Sequence, residues 1–574
     1  MTKFSNENAA ERYSYIGHIY RKSERMQKEE CLNLLSKELS DLHRNGYIHI
    51  HDLDAYGLTY NCLAFNIDNC FPYHEYEGLS DYRKILKLFN FYRELFVKIG
   101  NEQSGGEAFA NFDIDTAKIL TNLGVENSKD NLSLIKECIS EFIYWCNNCH
   151  DRMGMVNYYI TLNIGLANDE YSYQICEITI DAFSEMPSDV FKPNIVFKVK
   201  SGVNLEKDSP NYNLFIKSLM CTSKKMIPTY LLCDSKPNKG IDPKLLSVMG
   251  CRTRIVDNIF GKEGSIGRGN IANISVNLPR LALEIVNDNN IIDEDSKFEA
   301  LKSKWLTIAE QVTEILLDRY NRLNKLDSSF FPTNSKYNLW IENFDIDKNV
   351  ENIFRHGTLS IGFIGLSETI EIITGNKFYL NDKAMDMAYN FVKFMREYTD
   401  KCIKKYNLNF SLLATSGELI SGRFCDIDSK LYEHNVLKKG FYTNSFHVDV
   451  DSLISGFDKI DKEAPFHLLS NGGCITYIEL GEVPIGNHMA LEEYINYALN
   501  AGIHYLGFNF PLDICNMCGS RGIFDKCDEC GSDDIKKIRR VSGYLEILDQ
   551  FTNGKYLEAK KRDVNYYDNS HRRS

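Results

Sequence analysis

The sequence lacks several things that would fix its class at once. Among its 574 residues no apolar run approaches the length needed to cross a bilayer. The opening stretch, MTKFSNENAAERYSY, is polar and mixed in charge, so it is not a signal peptide. No excess of positive charge exists: 66 Lys and Arg stand against 79 Asp and Glu, and the net charge of −13 argues against a general nucleic-acid surface. There is no Walker A pattern, no G-x-G-x-x-G following a strand and no Cys-Cys pair. Proline is sparse, and no Pro- or Ser-rich linker divides the first five hundred residues, which therefore read as one body.

What is present points to a large intracellular protein. Hydrophobic content of 43% and charged content of 25% are those of a globular chain. Seventeen cysteines without a secretion signal imply a reducing compartment, and the reading is cytoplasmic. Most of the thirteen outside the C-terminal cluster are expected to be ordinary buried packing residues. Leu32, Leu35, Leu39 and Leu42 recur at helical spacing over 27–45, with Gly46 as a stop. Ile48 and Ile50 then alternate with His49 and His51, as in a half-buried strand whose polar face carries the imidazoles. Long periodic helices are expected over 300–323 and 383–405, and short apolar runs at 194–199, 359–366, 474–480 and 504–510 read as strands. Strands alternating with long helices indicate an α/β architecture with parallel character.

Composition changes near residue 511. CNMCGSRGIFDKCDEC sets Cys515, Cys518, Cys527 and Cys530 as two C-x2-C pairs eight residues apart. Each pair lets one tight turn offer two sulfurs to one ion, and Gly519 and Gly531 relieve the backbone behind them. Four thiolates around zinc leave no open coordination position, so the site is structural. Iron, or a redox dithiol pair, is the alternative. The basic residues that follow (Lys536, Lys537, Arg539 and Arg540) read as a solvated face.

Gly543 then interrupts an ordered-looking stretch, IRRVSGYLEILDQF. One reading is a bend or a positive φ. Another is chemical: loss of hydrogen from a bare α-carbon gives a radical that can flatten between two amide groups without a side-chain clash. Arg540-Val541-Ser542-Gly543-Tyr544 resembles the R-V-x-G-Y signature of glycyl radical enzymes. Together with the upstream cysteines and the later NGKYLEAKKR, it resembles the C-terminus of the anaerobic (class III) ribonucleoside-triphosphate reductases. NGYIHIHDLD with YNCLAFNI, MGCRTRI at 249–255, GRGNIANISVNLPRLALE at 267–284, LSIGFIGLSETI and SNGGCITYIEL resemble further segments of that family, in the right order. Glu546 departs from the glycine the family commonly has there.

The resemblance implies a ten-stranded α/β barrel over 1–510, a zinc ribbon over 511–535, and a glycyl radical loop and tail over 536–574. It implies that Gly543 stores the radical, Cys251 forms the thiyl radical that attacks the ribose, Cys62 is the reducing cysteine on the other ribose face, and Asn270 is the active-site asparagine. Cys62 and Asn270 together favour formate as reductant over a thioredoxin-like protein. The expected partners are a ribonucleotide, most simply a triphosphate, a radical-SAM activating enzyme and a second copy of the chain, with a nucleotide effector at the dimer interface. Only 48 residues precede HIHD, too few for the ATP-sensing domain many relatives carry, so no activity switch of that type is expected. The residues alone leave blander readings open. Cys62 could be a buried strand thiol, Asn270 a turn residue, and the whole chain a pyruvate formate-lyase-like acyltransferase or a zinc-ribbon binding protein.

Overall fold

The structure is a computed structural model that describes residues 15–152, 156–288, 290–342 and 350–568. Its centre is a sheet in which ten strands follow one another in space: Phe410–Ala414, Thr358–Ile364, Arg268–Asn277, Cys62–Phe65, Glu107–Phe109, Ile160–Ile164, Asn194–Val199, Thr229–Leu232, Tyr505–Asn509 and Thr476–Glu479. The five from Cys62–Phe65 to Thr229–Leu232 are parallel. The other five run the opposite way, so the ten-strand path has antiparallel seams at Cys62–Phe65 with Arg268–Asn277 and Thr229–Leu232 with Tyr505–Asn509. Off this path, Ile48–Ile50 also pairs antiparallel with Arg268–Asn277. Gly472 donates its amide to Leu412 O (2.9 Å) and Ala414 to Gly473 O (3.1 Å), which joins the two ends into a closed barrel. Closure removes both sheet edges.

Strands of such a barrel are covered on both faces, which is why NIVFKV and TLSIGFI are nearly continuous apolar runs that are buried throughout. Helices pack outside, among them Glu294–Leu323 and Asp382–Tyr406 at the two long periodic segments. Inside, Cys62, Ala64 and Ala108 form a small cluster with Met249 and Ile255, separate from the main core. Small side chains on the inner wall leave room for a loop, and the segment around Cys251 fills it.

Three sequence expectations need correction. The helix expected over 27–45 is two helices, Tyr15–Leu32 and Lys37–Arg44, because Ser36 accepts the Leu39 amide and starts the second. The strand Ile48–Ile50 is buried on both faces, not half-buried, since its histidine side turns into the barrel. Arg540 does not lie on a solvated face: it is 1% exposed, whereas Lys536, Lys537 and Arg539 pair with Asp189, Asp525 and Asp513 nearer the surface.

A second, antiparallel sheet of four strands is built from Leu512–Cys515, Arg521–Gly522, Ile535–Arg540 and Leu545–Ile547. The four-cysteine block and the Gly543 turn therefore belong to one sheet that spans residues 535 and 536. The final helix, Asn553–Lys561, packs on Leu419–Asp428 where Gly554 meets Gly422.

Candidate active site

The segment Met249–Thr253 is a tight finger. Met249 and Thr253 exchange both backbone hydrogen bonds (3.0 and 3.2 Å), and Cys251 stands at the tip. Three glycines from distant parts of the chain press against it. A β-carbon on Gly106 would lie 2.7 Å from Gly250 Cα, one on Gly473 2.1 Å from Arg252 O, and one on Gly543 2.0 Å from Cys251 O and 2.2 Å from Cys251 Cα. A carbon–carbon bond of about 1.5 Å then keeps the α-carbons of Gly543 and Cys251 within about 4 Å of each other. Gly543 lies in a bend but not in the left-handed region of φ, so a positive φ is not the reason for glycine. Closeness to Cys251 is what demands glycine.

The turn that carries Gly543 is closed by Val541 N donating to Tyr544 O (2.9 Å). Both peptide groups beside its α-carbon are held. Tyr477 donates its hydroxyl to Ser542 O (2.5 Å), and the buried Arg540 guanidinium donates to Gly543 O (3.2 Å), Asn509 Oδ1 (2.6 Å) and Met226 O (2.5 Å). Glu418 accepts from Ser542 Oγ (2.6 Å) and from the Tyr544 hydroxyl.

A cavity opens beside the finger. Cys62, Cys251, Asn273, Ser416, Glu418 and Tyr544 all contribute to its wall, as do His49 and His51. Cys251 Sγ lies 3.0 Å from Ser416 Oγ. Cys62 Sγ contacts Asn61 Oδ1 (2.7 Å) and receives the Gly106 amide (3.2 Å). Burial pushes the Cys62 thiol up to about 12, against the Gly106 hydrogen bond, and also raises Cys251. Both sulfurs are thus S–H groups at neutral pH, poor nucleophiles but competent hydrogen donors.

Asn270 sits directly across the seam from Cys62 but does not reach the cavity wall. Its Nδ2 donates to Thr358 O and Oγ1 (both 3.2 Å) and to Ser360 Oγ (2.7 Å). Asn273, three residues on, does line the cavity, with an Oδ1 that has no partner. Sequence reasoning missed Asn273, Glu418 and the inward role of Arg540. Only Arg540 carried a signal, its place in R-V-x-G-Y.

The four C-terminal sulfurs come together, all within 4.8 Å of one another, with Cys515–Cys530 and Cys518–Cys527 at 3.5 Å. A zinc–sulfur bond of 2.3 Å makes tetrahedral sulfurs about 3.8 Å apart, so this set can hold such an ion. A second group, His467, Cys474 and His504, is buried elsewhere and is joined by hydrogen bonds of its own, His467 Nδ1 to His504 Nδ1 (3.1 Å) and His467 Nε2 to Thr476 Oγ1 (2.9 Å).

Residues 7–565 match the family model described as anaerobic ribonucleoside-triphosphate reductase. The chain belongs to the anaerobic ribonucleoside-triphosphate reductase family. Among its relatives, the Escherichia coli K12 anaerobic ribonucleoside-triphosphate reductase is 29% identical over 92% of this chain and 78% of its own. The enzyme of that name from enterobacteria phage T4 is 28% identical over 94% of this chain and 93% of its own. Solved structures agree on the fold. One titled anaerobic ribonucleotide reductase superposes with a TM-score of 0.71 at 15% identity, covering 96% of this chain and 88% of that one. A Thermotoga maritima anaerobic ribonucleotide reductase with dATP in its specificity site gives 0.67 at 15% identity, over 94% and 90%. A hydroxyproline dehydratase from Clostridioides difficile gives 0.58 at 12% identity, over 96% and 85%. Anaerobic ribonucleoside-triphosphate reductases are oxidoreductases that reduce ribonucleotides, and no helix among the described residues is long and apolar enough to cross a membrane.

Proposed function

We propose that this chain reduces ribonucleoside triphosphates by radical transfer from Gly543 through Cys251. The observation that carries the reading is the approach of the Gly543 α-carbon to Cys251 at the edge of a cavity that Cys62 shares. A glycyl radical is too stable and too enclosed to attack a sugar, so a relay is needed. The Cys251 S–H gives its hydrogen to the Gly543 α-carbon, and the sulfur radical removes the ribose 3′ hydrogen. The 2′ hydroxyl then leaves as water after taking a proton. Cys62 gives a hydrogen atom to C2′ from the opposite face. Formate returns a hydrogen to Cys62 and passes its remaining electron to C3′ as carbon dioxide leaves. Cys251 then gives its hydrogen back to C3′, which restores the sulfur radical and then the glycyl radical. The raised thiol pKa values support this, because a thiolate has no hydrogen to give.

Asn270 keeps a place in this reading as a polar group of the inner wall, its amide committed to Thr358 and Ser360. Cys515, Cys518, Cys527 and Cys530 hold a structural zinc. A radical-SAM activating enzyme installs the radical on Gly543, and the working form is a homodimer; dATP bound in the specificity site of the Thermotoga maritima enzyme supports a nucleotide effector here. Anaerobic activation followed by electron paramagnetic resonance tests the core of the proposal. A doublet is expected from the parent chain and none from Gly543→Ala. A doublet in the variant puts the radical elsewhere.

A further inference from the structure

One buried carboxylate outside the relay stands apart. Glu418 precedes the helix Leu419–Asp428 and is 5% exposed. Its two carboxylate oxygens are used by one segment only: Oε1 accepts from Ser542 Oγ and Oε2 from the Tyr544 hydroxyl, the residues on either side of Gly543. Its backbone carbonyl accepts a third bond from the same stretch of chain, from Thr552 Oγ1 (2.9 Å). Tyr544 is further seated by its ring on Tyr159, with centroids 5.6 Å apart. A carboxylate buried this deeply is costly unless its hydrogen bonds are good, and a structural role alone would not need both of them to flank one glycine.

We propose that Glu418 is a positioning residue, a two-pronged anchor that holds the Gly543 α-carbon against Cys251. The inference rests on the reading of Gly543 as the radical position. The prongs act on Ser542 and Tyr544, so Glu418 sets the separation across which hydrogen passes without itself exchanging a proton or an electron. Anchoring at both neighbours fixes the turn in translation and in rotation, which a single bond does not. Burial raises the Glu418 pKa while the two hydroxyls oppose the rise, as expected for a carboxylate whose solvent has been replaced by these two donors.

The experiment uses the full chain and two variants, Glu418→Gln and Ser542→Ala. Ser542 does not line the cavity, so its loss leaves the substrate wall intact. In the unactivated protein, amide hydrogen exchange over 541–545 is expected to speed up by about tenfold in each variant, the size of one lost charge-assisted hydrogen bond. The double variant is expected to fall well short of the product of the two, because Ser542→Ala removes one of the two bonds that loss of the Glu418 charge weakens. In activated protein kcat falls while KM for the nucleotide holds in Ser542→Ala, and the doublet persists. Unchanged exchange and kcat in both variants, or fully multiplicative effects in the double, overturn the anchor. A parent chain that shows no doublet overturns the radical assignment instead and leaves the exchange result standing.

Discussion

Gly543→Ala is the most informative single change, because the structure separates its steric from its chemical effect. The added methyl would sit 2.0 Å from Cys251 O, where ordinary contact begins at 3.4 Å, and the atoms it meets are backbone, which cannot swing away. The turn and the finger must therefore part by about 1 Å or more, at a cost of roughly 1–3 kcal/mol typical of overpacking. Displacement of that order by itself slows a positioned reaction about a hundredfold. The chemical loss is larger, since no glycyl radical remains to start turnover. Three readings distinguish these effects: electron paramagnetic resonance after anaerobic activation, deoxynucleotide formation, and amide exchange at 249–253 before activation. The expected result is no doublet, no product and faster exchange in the finger. A finger that exchanges as slowly as in the parent would refute the contact argument, and a surviving doublet would refute the chemical one.

Other expected outcomes follow from the same geometry. Cys251→Ser should keep the doublet but form no product, because a serine hydroxyl holds its hydrogen too strongly to relay it, as checked by resonance and product assay together. Cys62→Ser should also keep the doublet, while release of carbon dioxide from labelled formate in the presence of nucleotide is abolished. Cys518→Ser should lower bound zinc by close to one equivalent per chain in elemental analysis and weaken protection of the 535–547 hairpin. Acidification should destabilise the fold. Burial pushes His467 down to about 3 and also lowers His504 well below the ordinary imidazole value of 6.5, so below pH 6.5 the unfolded chain binds more protons than the folded one at both. Stability is then complete above pH 6.5 and is lost as pH falls, by up to about 1.4 kcal/mol per unit for each imidazole. A denaturant series with no slope between pH 7 and 5 would contradict this.

How much of this was legible in the sequence follows from the range of each interaction. Strands such as 194–199 and the long helices were readable because burial on a face leaves a local period. The break at Ser36 was missed although its cap chemistry was local, since leucine spacing continues across it. The inward face of Ile48–Ile50 was misread because alternation reports polarity, and a barrel interior that holds a polar site looks the same as a surface. The four cysteines and Gly543 were visible as motifs, but the reason for glycine, contact with a residue 292 positions earlier, was not. Glu418 gave no signal at all. Its meaning depends on partners more than 120 residues away, and only the closed barrel brings them together. Asn273 was hidden among its neighbours: three asparagines lie in one strand, and the register irregularity at Thr358–Leu359, opposite Asn270 and Ala272, is not written in any of them.

The shared C-terminal sheet links the four-cysteine block directly to the Gly543 turn. Cys515 pairs with Ile535 in register, and the strand beginning there runs directly to Arg540 and the Gly543 turn. A slip of one residue in that pairing would move the turn by about 3.3 Å and reverse every side chain of the strand. Arg540 would leave Asn509, Ser542 would leave Glu418, and Gly543 would lose Cys251, since its tolerance is set by a contact of about 4 Å. Burial of Ile538 and Arg540 and the Arg539–Asp513 pair already favour one register of this strand. Four thiolates on one ion would add a second constraint, since Cys515 lies both in the sulfur cluster and in the first strand. Under the proposed function, an ion held there would reinforce the register that sets Gly543 against Cys251.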